Sequence, residues 1–171
     1  MNRKQVYAFL KVMGKDNSRP VLATGKIDEL DGKPVLVATD GYILTAVYLD
    51  EEAKDLVGRI IRRESFERWY KLADGRARLT YDELERISDE EYHREGSWLD
   101  VQYPKWQGLV PKERDTDGFT KDMSIAFNAD FVKIVQDLNA DTKVKIDLYG
   151  KLAPMVIKTE QSFSMIMPMK G

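Results

Sequence analysis

The chain has 171 residues, of which 43% are hydrophobic and 33% are charged, and its formal net charge is -2. This length suits one large domain or two small ones, and the apolar content is sufficient for a buried core. No stretch approaches the roughly 20 consecutive apolar residues of a membrane span, which argues against a membrane protein. Without a net positive charge, any DNA contact would require basic residues gathered on one face.

Cysteine and histidine usage narrows the possible chemistry. The sequence has no cysteine and a single histidine, His93. A disulfide framework and a thiolate metal site are therefore excluded, and a zinc site is not expected. The first residues do not read as a signal peptide, so we expect a cytoplasmic protein with no membrane association.

Three segments share the i, i+3, i+4, i+7 spacing of apolar residues that predicts an amphipathic helix. The first residues of these segments are 60 and then 65 residues apart, which suggests an internal repeat. The three apolar sets are Val6, Phe9, Leu10 and Met13; Phe66, Trp69, Tyr70 and Ala73; and Phe131, Ile134, Val135 and Leu138.

Strand patterns lie between the predicted helices. The first helix is followed by strands predicted at 21–30, 35–39 and 43–49, with turn signals at Asp31-Gly32 and Asp40-Gly41. The remaining predicted strands are 58–61, 78–81, a charged stretch around 84–87, 92–101, 124–127, 143–149, 155–159 and 163–167. Each module is therefore a helix followed by about three strands, preceded by one more strand in the second and third modules. The expected class is α+β, with antiparallel sheets covered on one side by helices. Many α+β domains also combine three helices with strands without any repeat.

Three short motifs carry a resemblance to the bacterial DNA polymerase III β sliding clamp family. Residues 37–44, Val-Ala-Thr-Asp-Gly-Tyr-Ile-Leu, resemble the Ala-Thr-Asp-Gly-His-Arg-Leu strand-turn-strand of the clamp's middle domain. Residues 103–111, Tyr-Pro-Lys-Trp-Gln-Gly-Leu-Val-Pro, are similar to the Phe-Pro-Asp-Tyr-Arg-Arg-Val-Leu-Pro segment that leads to the last domain. Residues 164–171, Ser-Met-Ile-Met-Pro-Met-Lys-Gly, look like the family's terminal Val-Val-Met-Pro-Met-Arg-Leu.

The resemblance implies a DNA-clamp-like organisation of repeated helix-plus-strand modules. Residues 1–111 would form a clamp-like domain of two modules, 112–123 a linker, and 124–171 a half-domain like the C-terminal end of the clamp. The family's protomer has six modules and this chain three, so a ring of twelve modules would need four copies. We expect a homo-oligomer, and we expect the open sheet edge of the third module to be covered by another copy or by the first module.

In the clamp family the three motifs converge on a hydrophobic groove that binds short peptides of polymerases and clamp loaders. The resemblance therefore implies a peptide-binding site made of Thr39, Gly41, Tyr42, Ile43, Leu44, Pro104, Gly108, Leu109, Met165, Met167, Pro168 and Met169. Tyr42-Ile43 stands where the family has His-Arg, and Gly108 where it has an arginine, so fewer polar contacts to the peptide are expected. The alternative is that these residues are ordinary core, since alternating Met165 and Met167 suit one buried strand face.

The family's helices also line a positively charged channel for double-stranded DNA. The matching basic residues are Arg3, Lys4, Lys11, Lys15, Arg62, Arg63, Arg68 and Lys71. Such clusters are enough for weak phosphate contact without sequence preference. Alternatively, they are the solvated faces of amphipathic helices.

No sequence motif places a nucleophile beside a base. The acidic run 82–91 lacks the spacing of an EF-hand loop, and His93 stands among charged residues. We therefore expect a non-enzymatic processivity factor without cofactor or metal. The alternatives are a clamp-like adaptor or decoy that does not encircle DNA, and an enzyme whose site leaves no motif.

Overall fold

The computed structural model describes residues 1–15, 19–92, 102–113, 124–139 and 144–169. Its helices are α1 (Arg3–Val12), α2 (Arg63–Leu72), α3 (Tyr81–Tyr92) and α4 (Ala129–Asn139). Its strands are β1 (Thr24–Leu30), β2 (Lys33–Thr39), β3 (Ile43–Tyr48), β4 (Ile60–Arg62), β5 (Lys145–Asp147), β6 (Met155–Lys158) and β7 (Ser162–Ile166). Short 3₁₀ helices form at Pro20–Ala23, Glu51–Leu56 and Trp106–Leu109.

The strands form a single antiparallel sheet in the order β4-β1-β2-β3-β7-β6-β5. The central pairing joins β3 to β7, with Leu44 opposite Met165 and Thr45 opposite Ser164. Strands from the two ends of the chain therefore share one sheet, and the predicted α+β class is confirmed. The edge of β7 is covered by β3 of the first module, which is one of the two expected arrangements.

The central strands of the sheet are buried on both faces. Along β2, Leu36 contributes to a large core cluster that includes residues of all four helices, while Val35 and Val37 face a second cluster. Tyr103 and Trp106 belong to this second cluster, so the segment 102–110 covers the face of the sheet opposite the helices. This arrangement explains why β2 reads as a nearly continuous apolar run instead of an alternating one.

The three helices predicted from apolar periodicity are confirmed as α1, α2 and α4. A capping box starts α1, in which the Asn2 side chain accepts from Gln5 N and the Gln5 side chain accepts from Asn2 N. The buried face of α1 packs against α2 and α4. Phe9 and Phe66 meet edge to face, with ring centroids 5.5 Å apart, and anchor α1 on α2.

A strand was predicted wrongly in three places. Residues 20–23 form a 3₁₀ helix instead of the start of a strand, because Pro20 favours a helical φ and Thr24 Oγ1 donates to Val21 O. Residues 81–92 form α3, which replaces the strand predicted around 84–87. At 78–81 only Arg78 forms a bridge, to Asn2. Burial of Leu84 and Ile87 on one face of a helix satisfies the same apolar residues that suggested strands.

Two further segments predicted as strands, 124–127 and 143–149, have less pairing than expected in the structure. In the segment 124–127 only Ala126 forms a bridge, to Met169, and the pairing within 143–149 is limited to Lys145–Asp147. His93, the strand predicted at 92–101 beyond Tyr92, and most of the predicted linker lie outside the described residues. Among the described helices, none has the length and apolar character to cross a bilayer.

Candidate functional site

A cavity of about 710 Å³ lies beside the second core cluster, where the three sequence motifs meet. We call it the groove. It is lined by Arg19, Pro20, Val21, Leu22, Thr39, Gly41, Tyr42, Ile43, Leu44, Pro104, Trp106, Leu109, Pro154, Met165 and Met167. Among these described residues Arg19 is the only one with a charged side chain, so the groove is largely apolar.

The turn between β2 and β3 forms one wall of the groove and is held by its own side chains. Asp40 Oδ1 accepts from Tyr42 N at 2.8 Å and from Ile43 N at 2.9 Å. Thr39 Oγ1 donates to Ile43 O at 2.7 Å and accepts from Gly41 N at 3.0 Å. Gly41 adopts a φ of +95°, which a residue with a side chain rarely takes. The closed turn directs Tyr42 outward, where it is 68% exposed.

Strand β7 supplies the floor and one rim. Leu44 and Met165 are opposite each other and nearly fully buried, so they form the floor. Past the end of β7, Met167 N donates to Tyr42 O at 2.8 Å, which holds the chain beside the turn. The Met167 side chain is 43% exposed and borders the opening. Flexible methionine side chains suit a surface that accepts more than one apolar ligand.

The segment 102–110 closes the groove from the other side and is fixed by two buried aromatic residues. The Tyr103 hydroxyl donates to Val37 O at 3.1 Å, and Trp106 Nε1 donates to Asp28 Oδ2 at 3.1 Å. Trp106 is fully buried, whereas Leu109, at the end of the same 3₁₀ helix, is 64% exposed. The buried aromatics therefore fix the position at which Leu109 is presented to the groove.

The polar groups under this segment have shifted acidities. Burial raises the pKa of the Tyr103 hydroxyl well above its usual range, with a smaller contribution from the charge of Asp28. Burial alone would also raise the pKa of Asp28. Hydrogen bonds from Glu29 N, Lys26 Nζ and Trp106 Nε1 outweigh that effect, so the pKa of Asp28 lies below its usual value. Both groups therefore hold the charge state at neutral pH that their hydrogen bonds require.

Most of the residues expected at a peptide site lie together. The residues that line the groove as expected are Thr39, Gly41, Tyr42, Ile43, Leu44, Pro104, Leu109, Met165 and Met167. Ile43 is fully buried and also belongs to the helix-side core cluster.

Gly108, Pro168 and Met169 do not line the groove. Gly108 lies on the 3₁₀ helix, where an added Cβ would meet nothing within 4 Å. Met169 N donates to Ala126 O and is held away by that bridge.

Several lining residues were not anticipated from the sequence. They are Arg19, Pro20, Val21, Leu22, Trp106 and Pro154. Val21 and Leu22 were missed because they were predicted to begin a strand. Trp106 lies within the second motif, and its large aromatic side chain was the sequence feature that could have indicated a buried position.

The basic residues of α1 are mostly engaged with neighbouring side chains. The Arg3 guanidinium lies 4.1 Å from the centroid of the Tyr70 ring, and Lys11 Nζ lies 4.6 Å from that of Tyr7. The two tyrosine rings stack at 5.5 Å, which joins α1 to α2 through one aromatic and cationic column. Lys4, which is largely exposed, forms a 3.2 Å salt bridge with Asp137 of α4.

Arg63 contributes to the fold instead of facing solvent. Its Nη1 donates to Leu10 O at 2.5 Å and to Met13 O at 2.9 Å, and its Nε bonds Glu67 at 2.7 Å. It therefore satisfies carbonyls at the C-terminal end of α1. Of the other basic residues proposed from the sequence, Arg62 is half-buried, and Lys15, Arg68 and Lys71 are exposed. Within the described residues, no group of His, Asp or Glu side chains could hold a metal ion.

Comparison with known proteins gives a fold-level match. No protein-family model and no curated protein matches the sequence. The DNA polymerase III β subunit of Pseudomonas aeruginosa superposes with a TM-score of 0.63 at 13% identity, covering 99% of this chain and 63% of that chain.

Two further clamp structures give the same result. The β subunit of Borrelia burgdorferi, solved in complex with a natural product, gives a TM-score of 0.62 at 13% identity, covering 100% of this chain and 62% of that one. The sliding clamp of Bacillus subtilis gives 0.62 at 11% identity, covering 99% and 62%. The chain thus spans less than two thirds of the length of these clamps, and it has the fold of part of a bacterial β sliding clamp.

Proposed function

We propose that this protein is a sliding-clamp-like processivity factor of DNA replication that binds short peptide segments of replication proteins in the groove. The observation that supports the proposal is the convergence of three distant motifs on one apolar cavity. Residues of the turn between β2 and β3, of the segment 104–109 and of the end of β7 all line it.

The groove has the chemistry of a site for an apolar peptide side chain. Its volume lies within the range of about 300–1,000 Å³ that is usual for ligand pockets. Tyr42, Leu109 and Met167 are exposed at its border, so they can gain contacts when a ligand covers them. We expect a dissociation constant of about 1 µM, because a short peptide must be ordered on binding. The proposed role is binding and not catalysis, in the cytoplasm and without a cofactor.

DNA contact is the second part of the proposal. On the helix side of the sheet, Lys4 and Lys11 of α1 and Lys71 of α2 are exposed, as is Lys133 of α4. They are candidates for weak phosphate contact in an assembly that encircles a duplex. Arg63 is left out of this set because its guanidinium is bonded to the end of α1.

A clamp-like adaptor that captures replication proteins without encircling DNA is the second candidate. Segments of one chain are sufficient to form the groove. Peptide binding would therefore not require a ring. The chain also spans only about 63% of the Pseudomonas aeruginosa clamp, so ring geometry does not follow from the match.

Peptide binding is tested by fluorescence anisotropy with a labelled clamp-binding peptide from a bacterial DNA polymerase. Leu109→Ala and Met167→Ala should each weaken binding by roughly tenfold while leaving thermal unfolding nearly unchanged, since each exposed side chain contributes about 1.4 kcal/mol of contact. The matched control is Leu72→Ala, which truncates an 81% exposed leucine on α2. Absence of binding to the unaltered protein, or equal loss in the control, would contradict the proposal.

Mass in solution and primer extension separate the two candidates. A closed ring of several copies that stimulates a polymerase on a circular template supports the processivity factor. A monomer or dimer that binds the peptide but leaves primer extension unchanged supports the adaptor. Both measurements use the full chain, since segments near both ends of the chain form the groove.

A further inference from the structure

We propose that strand β5 pairs with β5 of a second copy of this chain, in an antiparallel contact whose two-fold axis passes through Ile146. The contact uses the end of the sheet farthest from β4 and does not depend on peptide or DNA binding. Among the described strands β5 pairs only with β6, so the backbone N–H and C=O groups on its outer edge have no strand partner. Ile146 lies on this edge and is 43% exposed.

The sequence of β5 is complementary to itself in this register. When two antiparallel copies meet at Ile146, Lys145 of each copy lies opposite Asp147 of the other. One residue further out, Val144 lies opposite Leu148, and both are apolar residues that pack against the helix-side core. A register displaced by one residue sets Lys145 opposite Ile146 and turns their side chains to different faces. The centre at Ile146 therefore matches opposite charges and also matches apolar residues.

The neighbouring strand favours an acidic group beside Lys145. Within the chain Lys145 is opposite Lys158 of β6, and like charges in directly opposed positions repel each other. The Lys145 side chain is 82% exposed, and its Nζ lies 3.8 Å from Asp147 of its own strand. On the other face, Ile146 is opposite the fully buried Ile157, so the apolar row of the helix side extends to the edge of the sheet. A second copy of β5 would continue both faces.

The charges distinguish β5 from an edge that is protected against pairing. A lone lysine on an edge strand usually prevents pairing, since it places a charge where a neighbouring strand would approach. Here Asp147 follows two residues later on the same face and supplies the opposite charge. In β4, by contrast, a two-fold contact centred on Ile61 would set Ile60 opposite Arg62, with no matching acid. Because the β5 contact joins two identical edges, it closes at two copies.

The test exchanges the charges at the two complementary positions. Lys145→Glu leaves two acids on the edge and Asp147→Lys leaves two lysines, so each variant alone sets like charges opposite each other. A mixture of the two variants should form a heterodimer, because each then faces the charge that it lacks. The double variant Lys145→Glu/Asp147→Lys should again pair with itself. The control is Lys33→Glu, which makes the same charge change at the start of β2.

Association of the full chain is measured by sedimentation velocity, and folding by thermal unfolding. The contact is small, so we expect the unaltered protein, the control and the double variant to dimerise with dissociation constants of about 30 µM. Each single variant should dimerise at least about tenfold more weakly. Ile146→Lys is a second variant, at an exposed position, that sets two like charges at the axis itself and should be equally weak.

Three results would overturn the proposal. The first is an unaltered protein that stays monomeric well above the expected dissociation constant. The second is the absence of a heterodimer in the mixture of the two folded single variants. The third is an assembly of any size that Ile146→Lys leaves intact, and this variant decides the question if a single charge variant fails to fold.

Discussion

The hydroxyl oxygens of Thr45 and Ser164 lie 3.0 Å apart in the middle of the sheet, and both residues are completely buried. They join β3 to β7, the pairing that connects the two ends of the chain. Thr45→Val keeps the shape of the side chain and leaves the Ser164 hydroxyl without this partner. We expect a loss of about 1–3 kcal/mol in the free energy of unfolding, measured with urea.

The double variant Thr45→Val/Ser164→Ala distinguishes a hydrogen bond from simple packing. Because both polar groups are removed, its loss should be smaller than the sum of the two single losses. Strictly additive losses would show that the two hydroxyls are not coupled.

Gly25 is predicted to tolerate a bulky side chain poorly. A Cβ at this position would lie 3.1 Å from Phe66 Cε2 and 3.3 Å from Phe9 Cε1, and both rings are fully buried. Gly25→Val should therefore destabilise the protein by about 1–3 kcal/mol through overpacking, measured by thermal unfolding. The control is Gly75→Ala, where the added Cβ meets nothing within 4 Å and stability should change little or rise slightly. Equal effects at both positions would contradict the packing argument.

Arg63 is predicted to stabilise the fold through the end of α1. Arg63→Ala removes the donors to Leu10 O and Met13 O, and we expect a loss of about 2–3 kcal/mol in the free energy of unfolding. Lys71→Ala removes an exposed cation from the same helix and should change stability by no more than about 0.5 kcal/mol. Comparable losses in the two variants would show that the buried position of Arg63 adds nothing.

Asp28 should make the protein more stable at neutral pH than in acid. The folded pKa of Asp28 is below its ordinary value, so its charged form contributes stability above that ordinary value. This contribution is lost as the pH falls through the folded pKa. The free energy of unfolding is measured with urea from pH 7 to 2. At neutral pH its value for the unaltered protein should exceed that for Asp28→Asn by about 0.5–1 kcal/mol, and the difference should vanish at the acid end.

Exposed lysines of α1 and α2 should control any DNA binding. For Lys11→Glu/Lys71→Glu, we expect weaker binding to a linear duplex at low salt. The slope of the logarithm of the binding constant against the logarithm of the salt concentration should become less steep by about 0.9 per lost phosphate contact. The matched control is Lys33→Glu/Lys145→Glu, which makes the same charge change on strands β2 and β5. An equal reduction in the control would indicate a response to net charge alone.

Local patterns were sufficient for the helices whose apolar spacing is regular and for the hairpin turns. Asp40-Gly41 forms a turn because Asp40 Oδ1 accepts a hydrogen bond from Tyr42 N and Gly41 adopts a positive φ. Helix α3 was missed although Thr80 and Glu83 have the spacing of a capping box, because the charged residues between its two buried apolar positions obscured the periodicity.

Long-range contacts account for what the sequence pattern could not supply. The pairing of β3 with β7 and the position of Trp106 over Asp28 depend on segments far apart in the chain, which no local periodicity encodes. The resemblance of the three motifs to a known family supplied this long-range information, and it therefore anticipated most of the groove residues. It missed Arg19 and Pro154, which lie outside the motifs. It included Met169, which does not line the groove and whose backbone N–H donates to Ala126 O.

The central position of the β3–β7 pair also limits aggregation of the protein through exposed strand edges. Because β3 and β7 pair with each other, the described part of the sheet has unpaired edge backbone only at its two outermost strands, β4 and β5, each three residues long. Edges this short are poor templates for the growth of amyloid-like stacks. The protein can therefore reach a high local concentration with little risk of indiscriminate strand exchange between neighbouring copies.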